Sequence, residues 1–171
     1  MPFFKEQLVG IRGFVFDVDG VLASAKTVLH PSGDLMRTMN TKDGYAIYRA
    51  LEQGYKLAII SGAKSESIRT RFSELGVDWI CLNSMDKLSD LKEFIQHHDL
   101  KPEELLYMGD DIPDAEAMRY VGLATCPNDA VEEIQAACNY ISDLPGGEGC
   151  VRDVIEQVLR AQKKWQIRNK A

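Results

Sequence analysis

A chain of 171 residues that is 45% hydrophobic and 27% charged can bury the core of one domain, which excludes disordered and collagen-like polymers. Its 26 acidic residues against 20 lysines and arginines give a net charge of −6, which disfavours a nucleic-acid partner but leaves room for a local cation cluster that binds a phosphorylated small molecule. No apolar run approaches the roughly 20 residues a bilayer span needs, and none follows Met1 as in a secretory leader, so no membrane partner and a cytoplasmic location are expected.

Residues 11–16 read as a short buried strand ending in the acidic turn Asp17-Val18-Asp19-Gly20. Two extended runs, 27–30 and 34–39, flank Pro31-Ser32-Gly33, which predicts a β-hairpin insertion over about 24–39. Strands over 56–61, 79–82, 105–109 and 123–125 follow, among helical patterns over 44–53, 65–75, 87–97, 114–121 and 128–137. Ile68, Phe72 and Leu75 show the helical spacing, and Gly54, Gly76 and Gly122 stand where helices should end. A glycine-rich loop over 144–149 reads as flexible and leads into a last helix over 151–162; the basic tail over 163–171 is expected to fray. The four cysteines, Cys81, Cys126, Cys138 and Cys150, form no C-x-x-C pair, so packed, reduced thiols are expected. The alternation predicts the α/β class: a Rossmann-like, doubly wound parallel sheet with helices on both faces, in a single domain over 1–171.

In an open parallel sheet ligands bind beyond the carboxyl ends of the strands, so the informative residues are those each strand delivers there. The first delivers Asp17, Asp19 and Gly20, the second Ser61 and Gly62, and the fourth Gly109-Asp110-Asp111 with Asp114 close behind; Lys87 opens the helix after the third. A carboxylate is a competent nucleophile towards phosphorus, which makes Asp17 the candidate for forming an aspartyl-phosphate. Carboxylate and phosphate repel, so the set calls for Mg2+, with Asp17, Asp110 and the carbonyl of Asp19 as protein ligands. Ser61, Lys87 and the backbone at Gly20 and Gly62 can hold phosphoryl oxygens, while Asp19 is placed to protonate the leaving oxygen and then activate water. Asp111 reads as orienting the metal shell or Lys87, and Asp114 as a supporting carboxylate or a helix N-cap.

In order and in register with the strands, D-x-D-G at 17–20, Ser61, Lys87 and G-D-D-x-x-D at 109–114 resemble the haloacid dehalogenase superfamily of phosphatases, over essentially the whole chain. Only the hairpin is inserted, with no room for a cap domain. Asn40-Thr41-Lys42-Asp43-Gly44-Tyr45, and Gly146-Gly147-Glu148-Gly149 followed by Val151-Arg152, are similar to the capless branch that acts on octulosonate and nonulosonate sugar acids. The resemblance implies a Mg2+-dependent phosphatase of lipopolysaccharide sugar synthesis, acting on 3-deoxy-D-manno-octulosonate 8-phosphate or alternatively on a nonulosonate 9-phosphate. It further implies substrate contacts from Asn40, Thr41, Lys42, Asp43, Gly44 and Arg71, and a homotetramer built by the hairpins in which a neighbour's C-terminal loop helps close the site. Ala63, Glu148 and Tyr48 depart from the arginines usual at those positions. The competing reading is a receiver-like signalling module that accepts phosphate on aspartate. Its acceptor would follow the third strand, where Leu82-Asn83 stand instead, and Asp19 supplies the acid–base group that hydrolysis needs.

Overall fold

Phe14, Val15 and Phe16 are all fully buried, and successive strand residues point to opposite faces, so the strand that carries them must be covered on both sides. The structure, a computed structural model, describes residues 4–166. In chain order it contains α1 (Phe4–Gln7), β1 (Gly13–Phe16), β2 (Val28–Leu29), β3 (Leu35–Met36), α2 (Thr41–Glu52), β4 (Lys56–Ile60), α3 (Glu66–Glu74) and β5 (Trp79–Cys81). There follow α4 (Lys87–His97), β6 (Leu105–Met108), α5 (Ala115–Tyr120), β7 (Leu123–Cys126), α6 (Glu132–Ala137), β8 (Tyr140–Ile141) and α7 (Cys150–Ala161). Six strands form one sheet in the order β5-β4-β1-β6-β7-β8, every neighbouring pair parallel, while β2 and β3 pair antiparallel as a separate hairpin.

The sheet divides the core in two. Phe14, Phe16, Leu57, Ile59 and Met108 pack with Ala46, Ile47, Ile68 and Val154, so α2, α3 and α7 cover one face. Val15, Ala58, Ile60 and Tyr107 pack with Leu91, Phe94, Met118 and Ile134, so α4, α5 and α6 cover the other. On α7 the buried residues are Cys150, Val151, Val154, Ile155, Val158 and Leu159, the three-four spacing that lays one stripe of a helix on a sheet. This is the doubly wound α/β arrangement expected from the alternation.

Several boundaries differ from the sequence reading. α2 starts at Thr41, ahead of the expected 44, because Asn40 caps it by accepting from the Lys42 amide at 2.9 Å. Only Glu132–Ala137 of the expected helix over 128–137 is helical, and β8 was not anticipated, since two residues carry no periodicity. Gly54 and Gly76 take the left-handed backbone of a helix stop, with φ of 83° and 93°. Gly122 does not; its Cβ would lie 2.5 Å from the Glu103 carbonyl oxygen, so close approach explains it. The expected fraying does not hold for residues 163–166. The Lys164 amide donates to the Leu159 carbonyl at 2.7 Å, and Trp165 lies edge-on to Tyr45 with Arg152 over its ring. Residues 167–171 of that tail lie outside the described residues.

Candidate active site

β1 runs between β4 and β6, and the ladder continues one residue beyond it: the Asp17 amide donates to the Met108 carbonyl at 3.1 Å. The chain then folds back, with the amides of Val21 and Ala23 both donating to the Val18 carbonyl. Gly20 makes this turn at φ 81°, and a Cβ there would stand 1.9 Å from Asp110 Oδ2, so side-chain bulk is excluded twice. Just beyond β4 the Ser61 amide donates to the Cys81 carbonyl at 2.9 Å, leaving a buried hydroxyl at the sheet edge. Asp86 caps α4 by accepting from the Ser89 amide at 3.0 Å, which sets Lys87 at the start of that helix. Asp111 accepts from the Ile112 amide at 2.7 Å and so starts a single 3-10 turn, Ile112–Asp114, that carries Asp114 back beneath the strand ends.

There Lys87 Nζ lies 3.1 Å from Asp17 Oδ2 and 2.8 Å from Asp114 Oδ1. Asp114 Oδ1 also accepts from the Tyr107 hydroxyl at 2.8 Å, and its Oδ2 accepts from the Asp110 amide at 3.3 Å. Asp17, Asp110 and Asp114 each offer an oxygen within 4.8 Å of the others. Three carboxylates thus face one ammonium. Burial first, then the charge of Asp114, push the Asp17 pKa up to about 7 against the pull of Lys87. Asp110 is likewise pushed up to about 7, by burial and then by Asp17 and Asp114. Burial works against the Lys87 ammonium, but Asp17 and Asp114 outweigh it and raise its pKa. Asp17 Oδ1 is buried with no hydrogen-bond partner. A divalent cation with oxygen ligands fits both features, the excess negative charge and the unpartnered oxygen. Asp17 and Asp110 are the carboxylates with capacity for it, since both oxygens of Asp114 are already engaged.

Asp17, Asp19, Ser61, Gly62, Lys87, Asp110, Asp111 and Asp114 line one cavity of about 980 Å3, and Gly20 packs against the Asp110 carboxylate. Two local readings need correction. Asp114 does not cap α5, because its carboxylate is turned inward to Lys87 and Tyr107. Asp111 makes its hydrogen bond to the Ile112 amide and is exposed, so it orients a turn rather than Lys87. Asn40, Asp43, Gly44 and Arg71 border a separate narrow crevice with Leu22 and Met39, not the wall of the large cavity. The cause is local: α2 begins at once after Asn40, which spends its side chain as a cap and leaves Thr41 and Lys42 exposed on the first turn. Asp43 is 1% exposed and accepts from the Arg152 amide at 2.7 Å; burial, above all, pushes its pKa up to about 6.

The glycine-rich loop is not free either. The Gly147 amide donates to the Val21 carbonyl at 2.8 Å, the Gly146 amide to Asp129 Oδ1 at 2.8 Å, and a Cβ at Gly146 would stand 2.0 Å from the Gly20 carbonyl oxygen. It is packed against the Asp17–Gly20 turn rather than held over the cavity.

Two residues of the site escaped the sequence reading. Arg37, on the arm leaving β3, grips both oxygens of Asp19 at 2.6 and 2.8 Å, and nothing in its surroundings in the sequence marks it. That hydrogen bond leads the causes that raise the pKa of Arg37. Tyr107 did carry a signal: a hydroxyl inside the buried run Leu105-Leu106-Tyr107-Met108 must find a partner, and near the strand end that partner belongs to the site.

The chain matches the family model of haloacid dehalogenase-like hydrolases over residues 79–152. It is 31% identical over 163 residues to a 3-deoxy-D-manno-octulosonate 8-phosphate phosphatase of Salmonella typhimurium, covering 95% of this chain and 87% of that one. The crystal structure of a 3-deoxy-D-manno-octulosonate 8-phosphate phosphatase from Yersinia pestis superposes with a TM-score of 0.91 at 30% identity, covering 94% of this chain and 86% of that one. A Moraxella catarrhalis phosphatase of the same name, solved with magnesium ion, phosphate ion and KDO, gives 0.89 at 31% identity, covering 93% of this chain and 91% of that one.

Proposed function

We propose that this chain, which belongs to the haloacid dehalogenase-like hydrolase family, is a Mg2+-dependent phosphatase that hydrolyses 3-deoxy-D-manno-octulosonate 8-phosphate by way of an aspartyl-phosphate. One observation carries the chemistry: Asp17 stands at the end of the central strand with one oxygen on Lys87 and the other buried without a partner.

Asp17, Asp110 and the Asp19 carbonyl would hold Mg2+, which when bound offsets the repulsion between carboxylate and phosphate and draws charge from the phosphoryl oxygens. Asp17 attacks phosphorus, forming its P–O bond as the bond to the sugar oxygen breaks, and Asp19 gives that oxygen a proton. Asp19 then takes a proton from the water that attacks phosphorus, and the bond to Asp17 breaks. Lys87 and Ser61 receive the phosphoryl oxygens; Lys87 is held for this by Asp114, itself fixed by Tyr107, so little reorganisation is needed at the moment of reaction.

The same reading takes residues 1–171 as one catalytic domain and the protein as a cytoplasmic homotetramer. Four free thiols support the compartment. Exposed Val28, Leu29 and Met36 on the hairpin support the assembly. Among the described residues no helix is long and apolar enough to cross a membrane.

Phosphate release with Mg2+ across a panel of sugar phosphates tests the reading. The highest kcat/KM is expected for 3-deoxy-D-manno-octulosonate 8-phosphate. A nonulosonate 9-phosphate in first place would replace the substrate, and no release from any phosphate monoester would overturn the phosphatase assignment.

A further inference from the structure

The hairpin arm is almost wholly exposed: between residues 25 and 38 only Thr27 and Arg37 are partly buried. The Arg37 side chain is just 5% exposed, and all three of its guanidinium nitrogens are engaged. Nε donates to Asp19 Oδ1 at 2.6 Å, Nη2 to Asp19 Oδ2 at 2.8 Å, and Nη1 to the Leu35 carbonyl at 2.7 Å. Asp19 lines the large cavity and Arg37 does not, so the guanidinium reaches the reaction through the carboxylate rather than through substrate.

We propose that Arg37 is the positioning residue for the proton transfers of Asp19, which makes the hairpin part of the catalytic machinery; the inference rests on the phosphatase reading above. A bidentate fork fixes the plane and direction of a carboxylate as no single donor can, and proton transfer depends on that aim. Both Asp19 oxygens accept from Arg37, so the fork holds the whole carboxyl group rather than one of its oxygens. In the first half-reaction the Asp19 proton passes to the sugar oxygen as its bond to phosphorus breaks, and the carboxylate left behind is the form Arg37 grips. In the second, that carboxylate takes a proton from the attacking water as the Asp17–phosphorus bond breaks, and one guanidinium contact yields to the new O–H. Arg37 thereby returns Asp19 to the same orientation between the two steps. A merely structural role predicts a different outcome: with the Arg37 side chain 5% exposed, losing the pair would then lower stability without a selective loss of kcat.

The test is a double-mutant cycle on 3-deoxy-D-manno-octulosonate 8-phosphate with wild type, Arg37→Met, Asp19→Asn and the double variant. Arg37→Met should lower kcat at least about tenfold with KM changed by less than about threefold, and should cost nothing further in the Asp19→Asn background. Arg37→Lys, which keeps the charge but not the fork, should recover part of the loss and carries the same cycle if the methionine variant does not fold. Calorimetric binding of Mg2+ alone reports folding and should be the same in wild type and Arg37→Met. An unchanged kcat, a loss confined to KM, or losses that add across the cycle would overturn the inference and leave the phosphatase reading standing. A wild type inactive on every phosphate monoester would remove both.

Discussion

Asp17 shares a buried corner with Asp110 and Asp114, and Lys87 is the ammonium that answers them, so the corner holds more negative charge than it neutralises. Such crowding works against the fold and becomes useful only when a cation and a phosphate enter. Asp17→Asn should therefore take turnover below about a hundredth of wild type, while the melting temperature in excess chelator stays level or rises. Retention of more than about a tenth of the activity would exclude Asp17 as nucleophile. Chelator should abolish activity and Mg2+ restore it; Mg2+ should also raise the melting temperature of wild type, and Asp110→Asn should lose most of that rise. Full activity in excess chelator would dismiss the metal. These residues are legible in the sequence because a parallel sheet fixes where its strand ends go, so Asp17, Ser61, Lys87 and Asp110 are gathered by position alone. Arg37 is not, since it meets Asp19 from an arm whose path no strand dictates.

The start of α7 shows how one element depends on another. Gly149 precedes it with φ 110° and no side chain to offer, and Asp43 from α2 takes the place of a cap by accepting from the Arg152 amide. The cost is a carboxylate 1% exposed beside Glu148, and burial raises its pKa from the ordinary 3.8 to about 6. Because the folded value is the higher one, charging Asp43 opposes folding: the penalty is absent below about pH 4, grows up to about pH 6 and then stays constant, at up to about 3 kcal/mol. Asp43→Asn keeps the acceptor and drops the charge, so urea unfolding should favour the variant over wild type by more at pH 7.5 than at pH 4.5. A difference independent of pH would show that Asp43 titrates as an ordinary carboxylate. The sequence could not reveal this contact, because it joins residues far apart in the chain. What it did reveal were the elements with long periodic patterns: α4 occupies the residues expected for it, whereas the two-residue β8 and the shortened α6 fall below the length at which periodicity speaks.

At the scale of the whole molecule, large apolar side chains are exposed at Val9, Met85 and Ile112, but the hairpin arm gathers four of them, Val28, Leu29, Leu35 and Met36. Val28 is 65% exposed, Leu29 79% and Met36 53%, and the hairpin that bears them is anchored at its base by Arg37 on Asp19. Burying such side chains is worth roughly 25 cal/mol per Å2 of apolar surface, so an arm of this kind gains by packing against copies of itself. The arm also ends beside a broad cavity at the sheet edge, where bulk water weakens every electrostatic contact the site makes. Assembly through the hairpins would therefore steady Arg37 and shield the site together. Leu29→Lys tests this at a position too exposed to matter for folding of the single chain. Wild type is expected to sediment as a tetramer at assay concentration and the variant as a smaller species with an unchanged circular dichroism spectrum. Its kcat should fall as well, because an unsupported arm holds Asp19 less firmly. A wild type that sediments as a fully active monomer would refute the assembly, and a dissociated variant with undiminished kcat would separate assembly from catalysis.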